Sequence, residues 1–218
     1  MSASYAPSPN TPSRRAIAKF LLPAAALALF LAATLDTKVV RIGSPEDQRS
    51  ETFSAQAYGK KTFPVLRTAI ESAAVDVQTL AAAIVADKAA AGERYGKPGS
   101  VGPIFPVKFR GVAGELRSGV VTVTVPGLPE GVQVRVQTGP AINGTDVRDA
   151  TGTISFGQFT NQIEYQDVGA ALNDQIKSQV LGGLDRDKLS GKKVEVVGVF
   201  QLINPTGWLV TPVRMSVQ

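Results

Sequence analysis

The sequence predicts an α+β chain: an N-terminal transmembrane helix, a long helix, and then a mainly antiparallel, OB-like five-stranded barrel with one helix between strands 3 and 4. Three observations carry this. Residues 20–35 (FLLPAAALALFLAATL) form an uncharged apolar run. Apolar residues from Leu66 to Ile84 recur at alternating steps of four and three, the spacing of one helix face. From Val107 onward the apolar period falls to two, the mark of half-buried strands, and a helical period interrupts it once.

The first element is a targeting or anchoring segment. Residues 1–13 (MSASYAPSPNTPS) are too rich in Ser and Pro to bury a face, and they read as a disordered cytoplasmic tail. Arg14, Arg15 and Lys19 precede the apolar run and no charge follows until Asp36, a bias that holds the N-terminus inside. Sixteen residues of helix reach roughly 24 Å, short of a hydrocarbon core of about 30 Å unless Ala16–Ala18 join the span and Lys19 snorkels. Residues 14–35 therefore read as a membrane anchor or a signal segment, with Ala32, Ala33 and Thr34 offering small residues for cleavage. Residues 36–61 read as a linker with one short strand over Lys38–Ile42.

The long helix is expected over residues 62–96, with Thr62 as N-cap and Pro64 in the first turn, where its missing N–H costs nothing. Leu66, Ile70, Ala73, Val77, Leu80 and Ile84 would then form a single apolar seam along that helix. Such a seam either packs on its own domain or joins a second copy of the chain.

The barrel is expected over residues 97–218. Val107, Phe109 and Val112 begin its first strand, Val121, Val123 and Val125 mark the second, and Val132, Val134 and Val136 alternate with Gln133, Arg135 and Gln137 in the third. Turns fall at Ser118-Gly119 and over Pro126–Gly131. Asp167–Val180 reads as the intervening helix, ending at Gly182-Gly183. Lys193–Ile203 and Trp208–Val217 close the barrel around the turn Asn204–Gly207. Three strands, a helix and two strands is the order of an OB barrel whose helix plugs the barrel; a half-open sheet with the long helix against it uses the same elements.

Composition removes several chemistries. There is no Cys and no His, so disulfides, thiolate nucleophiles, ordinary zinc sites and imidazole bases are unavailable. Three of the basic residues precede the first acid, which leaves +2 of the net +5 to the rest of the chain, and no basic run interleaved with aromatics follows. No nucleic-acid partner, metal or cofactor is expected, and the chain does not read as an enzyme. Asp146, Asp149, Glu164 and Asp167 offer carboxylate pairs of the kind glycoside hydrolysis uses, but so does any chain with eighteen acids.

The segment that stands out is Thr138–Tyr165 (TGPAINGTDVRDATGTISFGQFTNQIEY), between the third strand and the helix. Asn143, Asp146, Arg148, Asp149, Phe159, Asn161 and Gln162 are the candidate ligand or partner residues, with Phe156 and Tyr165 adding aromatic faces. Aromatic faces beside amides and an Arg–carboxylate set suit a sugar or small polar ligand. The competing reading is structural: Arg148 pairs with Asp146 or Asp149 to hold the loop, and the Phe residues fill the core.

The pieces KVVRIGSPED (38–47), ERYG (93–96), GPAINGTDVRDA and FTNQIEY within that segment, LSGKKVEVVGVF (189–200) and WLVTPVRM (208–215) together resemble the uncharacterised periplasmic lipoproteins grouped as domain of unknown function 2291. The resemblance implies a bacterial envelope protein with an OB-like core, often encoded beside ribose-type sugar ABC transporters, and it carries over no catalytic residue. This sequence departs from the lipoprotein pattern because it has no Cys to take a lipid. The expected protein is a single-pass inner-membrane protein, with its N-terminus cytoplasmic and its C-terminal domain periplasmic. Its expected role is a non-enzymatic accessory of a sugar ABC transporter, with the permease or sugar-binding protein as partner. A stand-alone sugar or polar-ligand module and a structural envelope protein assembling through the Leu66–Ile84 seam are the alternatives.

Overall fold

A computed structural model describes residues 27–32, 34 and 53–218. The chain divides into two units, Met1–Thr52 and Phe53–Gln218. In the first, residues 27–32 and 34 are helical. The expected tail, the short strand at Lys38–Ile42 and most of the expected 14–35 anchor lie outside the described residues. Among the described residues no helix is long and apolar enough to cross a membrane.

The second unit opens with α1 (Ala55–Ala73), which starts seven residues before the expected N-cap. Ser54 caps it by accepting a hydrogen bond from the Ala57 N–H, which satisfies one of the orphan donors of the first turn. Pro64 therefore lies inside the helix. It faces solvent, so the carbonyl it leaves without an N–H partner is not buried.

The continuous helix expected over 62–96 is three helices. After α1 the chain extends through β1 (Val75–Asp76), paired in parallel with Val107 and Lys108 of the barrel. Asp76 then caps α2 (Val77–Ala86) and Asp87 caps α3 (Lys88–Tyr95). Two acidic caps at the breaks explain the interruption: a side chain that satisfies the N–H groups of the next turn favours restarting a helix over continuing one. The apolar seam is split accordingly. Leu66 and Ile70 pack in one core and Val77, Leu80 and Ile84 in another, while Ala73 is exposed. The seam is consumed within the fold, so it does not offer the self-association surface the sequence suggested.

The barrel strands are β2 (Ile104–Arg117), β3 (Val120–Thr124), β4 (Gln133–Gln137), β5 (Lys193–Gln201) and β6 (Gly207–Val217). With β1 they form a six-stranded sheet in the order β1-β2-β3-β4-β6-β5, and a further pairing of β2 with β5 closes the five long strands into a barrel. All barrel pairings are antiparallel except β4 with β6, which is parallel because the chain runs back along β5 before entering β6. Closure removes the unpaired edges that an open sheet would present. At the tight crossing of β5 and β6, a Cβ on Gly198 would stand 2.5 Å from the Thr211 carbonyl, so only glycine fits.

Two cores result. Inside the barrel, Trp208 stacks on Phe200 with ring centroids 4.6 Å apart, and the indole N–H donates to the Pro205 carbonyl. Val77, Leu80, Ala81 and Ile84 of α2 belong to this inner cluster. The helix between the third and fourth barrel strands, α5 (Gln162–Gln175, extended by a π turn over Ile176–Val180), does not plug the barrel as expected. Its Val168, Leu172 and Ile176 instead pack with Phe63, Leu66 and Ile70 of α1 over Val197, Val199 and Val213 on the outside of the barrel. Gly59 lets α1 approach α5 closely, since a Cβ there would lie 3.0 Å from the Ala171 methyl. Gln56 of α1 also donates to Asp174, just inside the C-terminus of α5.

Candidate functional site

The segment between β4 and α5 is held from below by buried polar side chains that the sequence reading had not singled out. Gln137 is 3% exposed, although the strand alternation places it with the outward Gln133 and Arg135. At the end of β4 its amide turns inward. It donates to Thr211 Oγ1 and to the Asn143 carbonyl and accepts from the Asn143 N–H. Asn173 of α5 donates to the Ile142 and Gly144 carbonyls, and Arg186 donates to the Thr138 carbonyl. These loop backbone groups, which lie outside any ladder, thus find side-chain partners, as burying an irregular loop requires. The signal for Gln137 was a polar residue at a strand end; for Asn173 it was an amide on the apolar side of a helix.

The Arg–carboxylate set forms inside this frame. The short helix α4 (Asp146–Asp149) places Arg148, only 7% exposed, against its own neighbour. The guanidinium makes a two-pronged contact with the Asp149 carboxylate, Nε to Oδ1 at 2.7 Å and Nη2 to Oδ2 at 3.0 Å. Its Nη1 donates to the Tyr165 carbonyl, and its Cζ lies over the Tyr165 ring, 3.7 Å from the ring centre. Asp149 also accepts from Thr145 Oγ1 at 2.8 Å and from the Tyr165 hydroxyl at 3.3 Å. Burial, reinforced by the nearby Asp149 charge, pushes the Tyr165 hydroxyl above its ordinary range. Of the two partners weighed for Arg148, the structure selects Asp149.

Asp146 is left out of that pair. Burial pushes its carboxyl from 3.8 up to about 6; the Gln201 backbone N–H partly offsets this and the Asp149 charge adds to it.

The other predicted residues divide. Asn161 is the N-cap of α5: its side chain accepts from the Glu164 N–H, while Glu164 accepts from the Thr160 N–H, a reciprocal cap. The helix thus begins five residues before the expected Asp167. Gln162 and the Asn143 side chain are exposed. Phe159 joins an aromatic cluster with Phe53, Tyr58 and Tyr165, at centroid distances of 5.4, 5.5 and 5.7 Å.

On the solvent side of this cluster Phe156 stands edge-on to Tyr165 at 5.9 Å and is half exposed, and Ile163 on the first turn of α5 is 69% exposed. The arrangement is layered. A buried guanidinium supports a tyrosine ring, the tyrosine supports Phe156 and Phe159, and one apolar face of the stack is open with the Gln162 amide nearby in sequence.

The model of the predicted periplasmic lipoprotein family, domain of unknown function 2291, matches residues 24–216. The chain belongs to this family. Members are predicted periplasmic proteins of unknown function, and this one is a member without a cysteine. No curated protein matches the chain at a significant level. Among solved structures it is similar to an OB-fold protein of Thermotoga maritima, with a TM-score of 0.62 and 18% identity over 76% of this chain and 99% of that one. That likeness concerns the fold, and it agrees with the closed five-stranded barrel described above.

Proposed function

We propose that this family member is a non-catalytic periplasmic recognition protein, an accessory of a sugar ABC transporter. In this reading residues 14–35 hold it at the outer face of the inner membrane with the N-terminus cytoplasmic. The Phe156–Ile163 segment docks the permease or the sugar-binding protein. The observation that carries the proposal is the exposed aromatic and aliphatic surface of Phe156 and Ile163, backed by a rigid aromatic stack on a buried ion pair. Pre-ordered aromatic anchors of this kind supply most of the energy of small protein interfaces. Tethering to the membrane would raise the effective concentration of the domain near a permease.

The site's charged groups support binding over catalysis. Arg148 and Asp149 satisfy each other, and Glu164 is committed to the helix cap. The absence of aromatic side chains from the outward face of β3 and β4 also disfavours the base stacking by which OB barrels hold single-stranded nucleic acid.

Purification of the detergent-solubilised full chain tests the proposal. A permease or sugar-binding protein is expected to co-purify with the wild type and to be lost from Phe156→Ala and Ile163→Ser; equal recovery with all three, or no transporter component with any, contradicts it. The half-exposed Phe156 ring also suits a sugar face, so a stand-alone sugar module is the second reading. It requires thermal stabilisation by a pentose or hexose, because a ligand that binds only the folded state must raise its melting temperature.

A further inference from the structure

The outer face of β2, β5 and β6 carries a grid of charge that the platform does not use. Cross-strand register sets Lys108 beside Val197 and Val197 beside Arg214; one step along, Arg110 stands beside Glu195, and Lys193 follows two residues from Glu195 on the same strand. Neighbouring strands are about 5 Å apart. Glu195 therefore shares this face with four cations, Lys108, Arg110, Lys193 and Arg214, and with the carboxylates of Glu71 and Asp76. It contacts Arg110 at 3.1 Å and Arg214 at 3.9 Å, and Arg214 also reaches Glu71 of α1 at 3.6 Å. Lys108 and Lys193 are exposed and make no ion pair among the described residues. Asp76, beside Lys108, gives a carboxylate oxygen to the Gln78 N–H.

The grid lines two connected grooves of about 590 and 230 Å³ that share Arg110, Pro126 and Glu195. Buried Phe109 and Val197 contribute to the lining of the larger groove. Gln78, which donates to the Pro126 carbonyl, closes one side.

We propose that this groove binds a phosphate-bearing anion, with Arg110 and Arg214 as the guanidinium contacts and Lys108 and Lys193 as the flanking charges. Arg110, Arg214, Lys108 and Lys193 outnumber the three carboxylates beside them, Glu195, Glu71 and Asp76, which leaves positive charge to be matched, and a dianion with three oxygens matches it better than one more carboxylate does. Glu195 then acts as an internal stand-in that holds both arginines in place until the anion arrives. The phosphate could come from free inorganic phosphate or from an anionic lipid headgroup.

Isothermal titration of the full chain in zwitterionic micelles tests this, with inorganic phosphate, short-chain phosphatidylglycerol and short-chain phosphatidylcholine as probes. Binding of inorganic phosphate alone indicates the free anion; binding of phosphatidylglycerol but neither of the others indicates the headgroup. Arg110→Gln should weaken the binding roughly tenfold. Lys108→Gln, at an exposed position that leaves the fold intact, should weaken it and flatten its salt dependence. Glu195→Gln should tighten it, because it removes the competing carboxylate. If the grid is only a structural ion network, Glu195→Gln lowers the melting temperature and no probe binds. That result, or binding that Lys108→Gln and Glu195→Gln leave unchanged, overturns the proposal.

Discussion

At position 148 the chain buries a guanidinium and surrounds it with acceptors: both oxygens of Asp149, the Tyr165 carbonyl and the face of the Tyr165 ring. Removing one partner of such a buried pair strands the other, which costs about 3–5 kcal/mol. Arg148→Met should therefore lower unfolding stability by about that much in denaturant titration. Arg148→Lys should recover little, since an ammonium cannot reproduce the two-pronged contact. A loss of ligand binding with stability unchanged would instead mean that Arg148 serves recognition directly.

Asp146 behaves oppositely. Its folded carboxyl sits at about 6 against an ordinary 3.8, so the folded state holds its proton longer than the unfolded chain does. Stability from this group is then present at low pH and is lost as pH rises from about 4 to about 6. Asp146→Asn should remove that slope, read as melting temperature against pH for the two proteins, and should stabilise the domain at pH 7. An unchanged difference between the two proteins from pH 4 to pH 7 would contradict the burial of this carboxyl. The residue types of the site were legible in the sequence, and the Arg–carboxylate pairing was one of its two readings. Which acid Arg148 chooses was not, because both lie within two residues and only the turn of α4 decides between them.

Among the elements, α1 and α5 show how local signals and packing competed. The apolar spacing from Leu66 to Ile84 was read correctly as helical, but it spans two helices that serve different cores. The short stretch Ala74–Asp76 that separates them carries no Gly or Pro to announce the break. Pairing of Val75 and Asp76 with β2 is a non-local contact that a helical periodicity cannot reveal. The start of α5 was misplaced for a different reason. Asn161 and Glu164 form a cap signature, whereas the sequence reading takes Asn161 as a candidate ligand residue. Asn161→Ala should cost about 1 kcal/mol of stability through loss of the cap. If it instead abolishes partner recovery at full stability, the amide belongs to the interface. The close approach of α1 to α5 gives a further test. Gly59→Val should cost about 1–3 kcal/mol by overpacking, despite valine's better helix propensity, because Ala171 fills the space. A neutral or stabilising Gly59→Val would show that the two helices separate freely.

For the whole molecule, the barrel was the most legible part. Alternation at period two, turn residues at Ser118-Gly119 and Asn204–Gly207, and the order of strands and helix were enough to name an OB-like topology. The closure of β2 onto β5 and the neighbour of known fold bear that out. What plugs the barrel was not legible, because both α2 and α5 carry apolar faces and the chain order alone favours α5. The function follows the same division: the periplasmic assignment comes from the family, while the proposed docking surface is visible only in the fold, where Arg148 pairs with Asp149, Glu164 caps α5, and Phe156 and Ile163 stay exposed.

The central claim is that this surface meets a transporter component, and a photo-reactive amino acid at position 156 of the full chain, irradiated in intact cells, tests it most directly. One dominant adduct with a sugar-transport permease or its binding protein is expected, absent when the same probe stands at Thr122 on the outer barrel face. Adducts equally abundant from both positions, or none with any transport component from position 156, would contradict it.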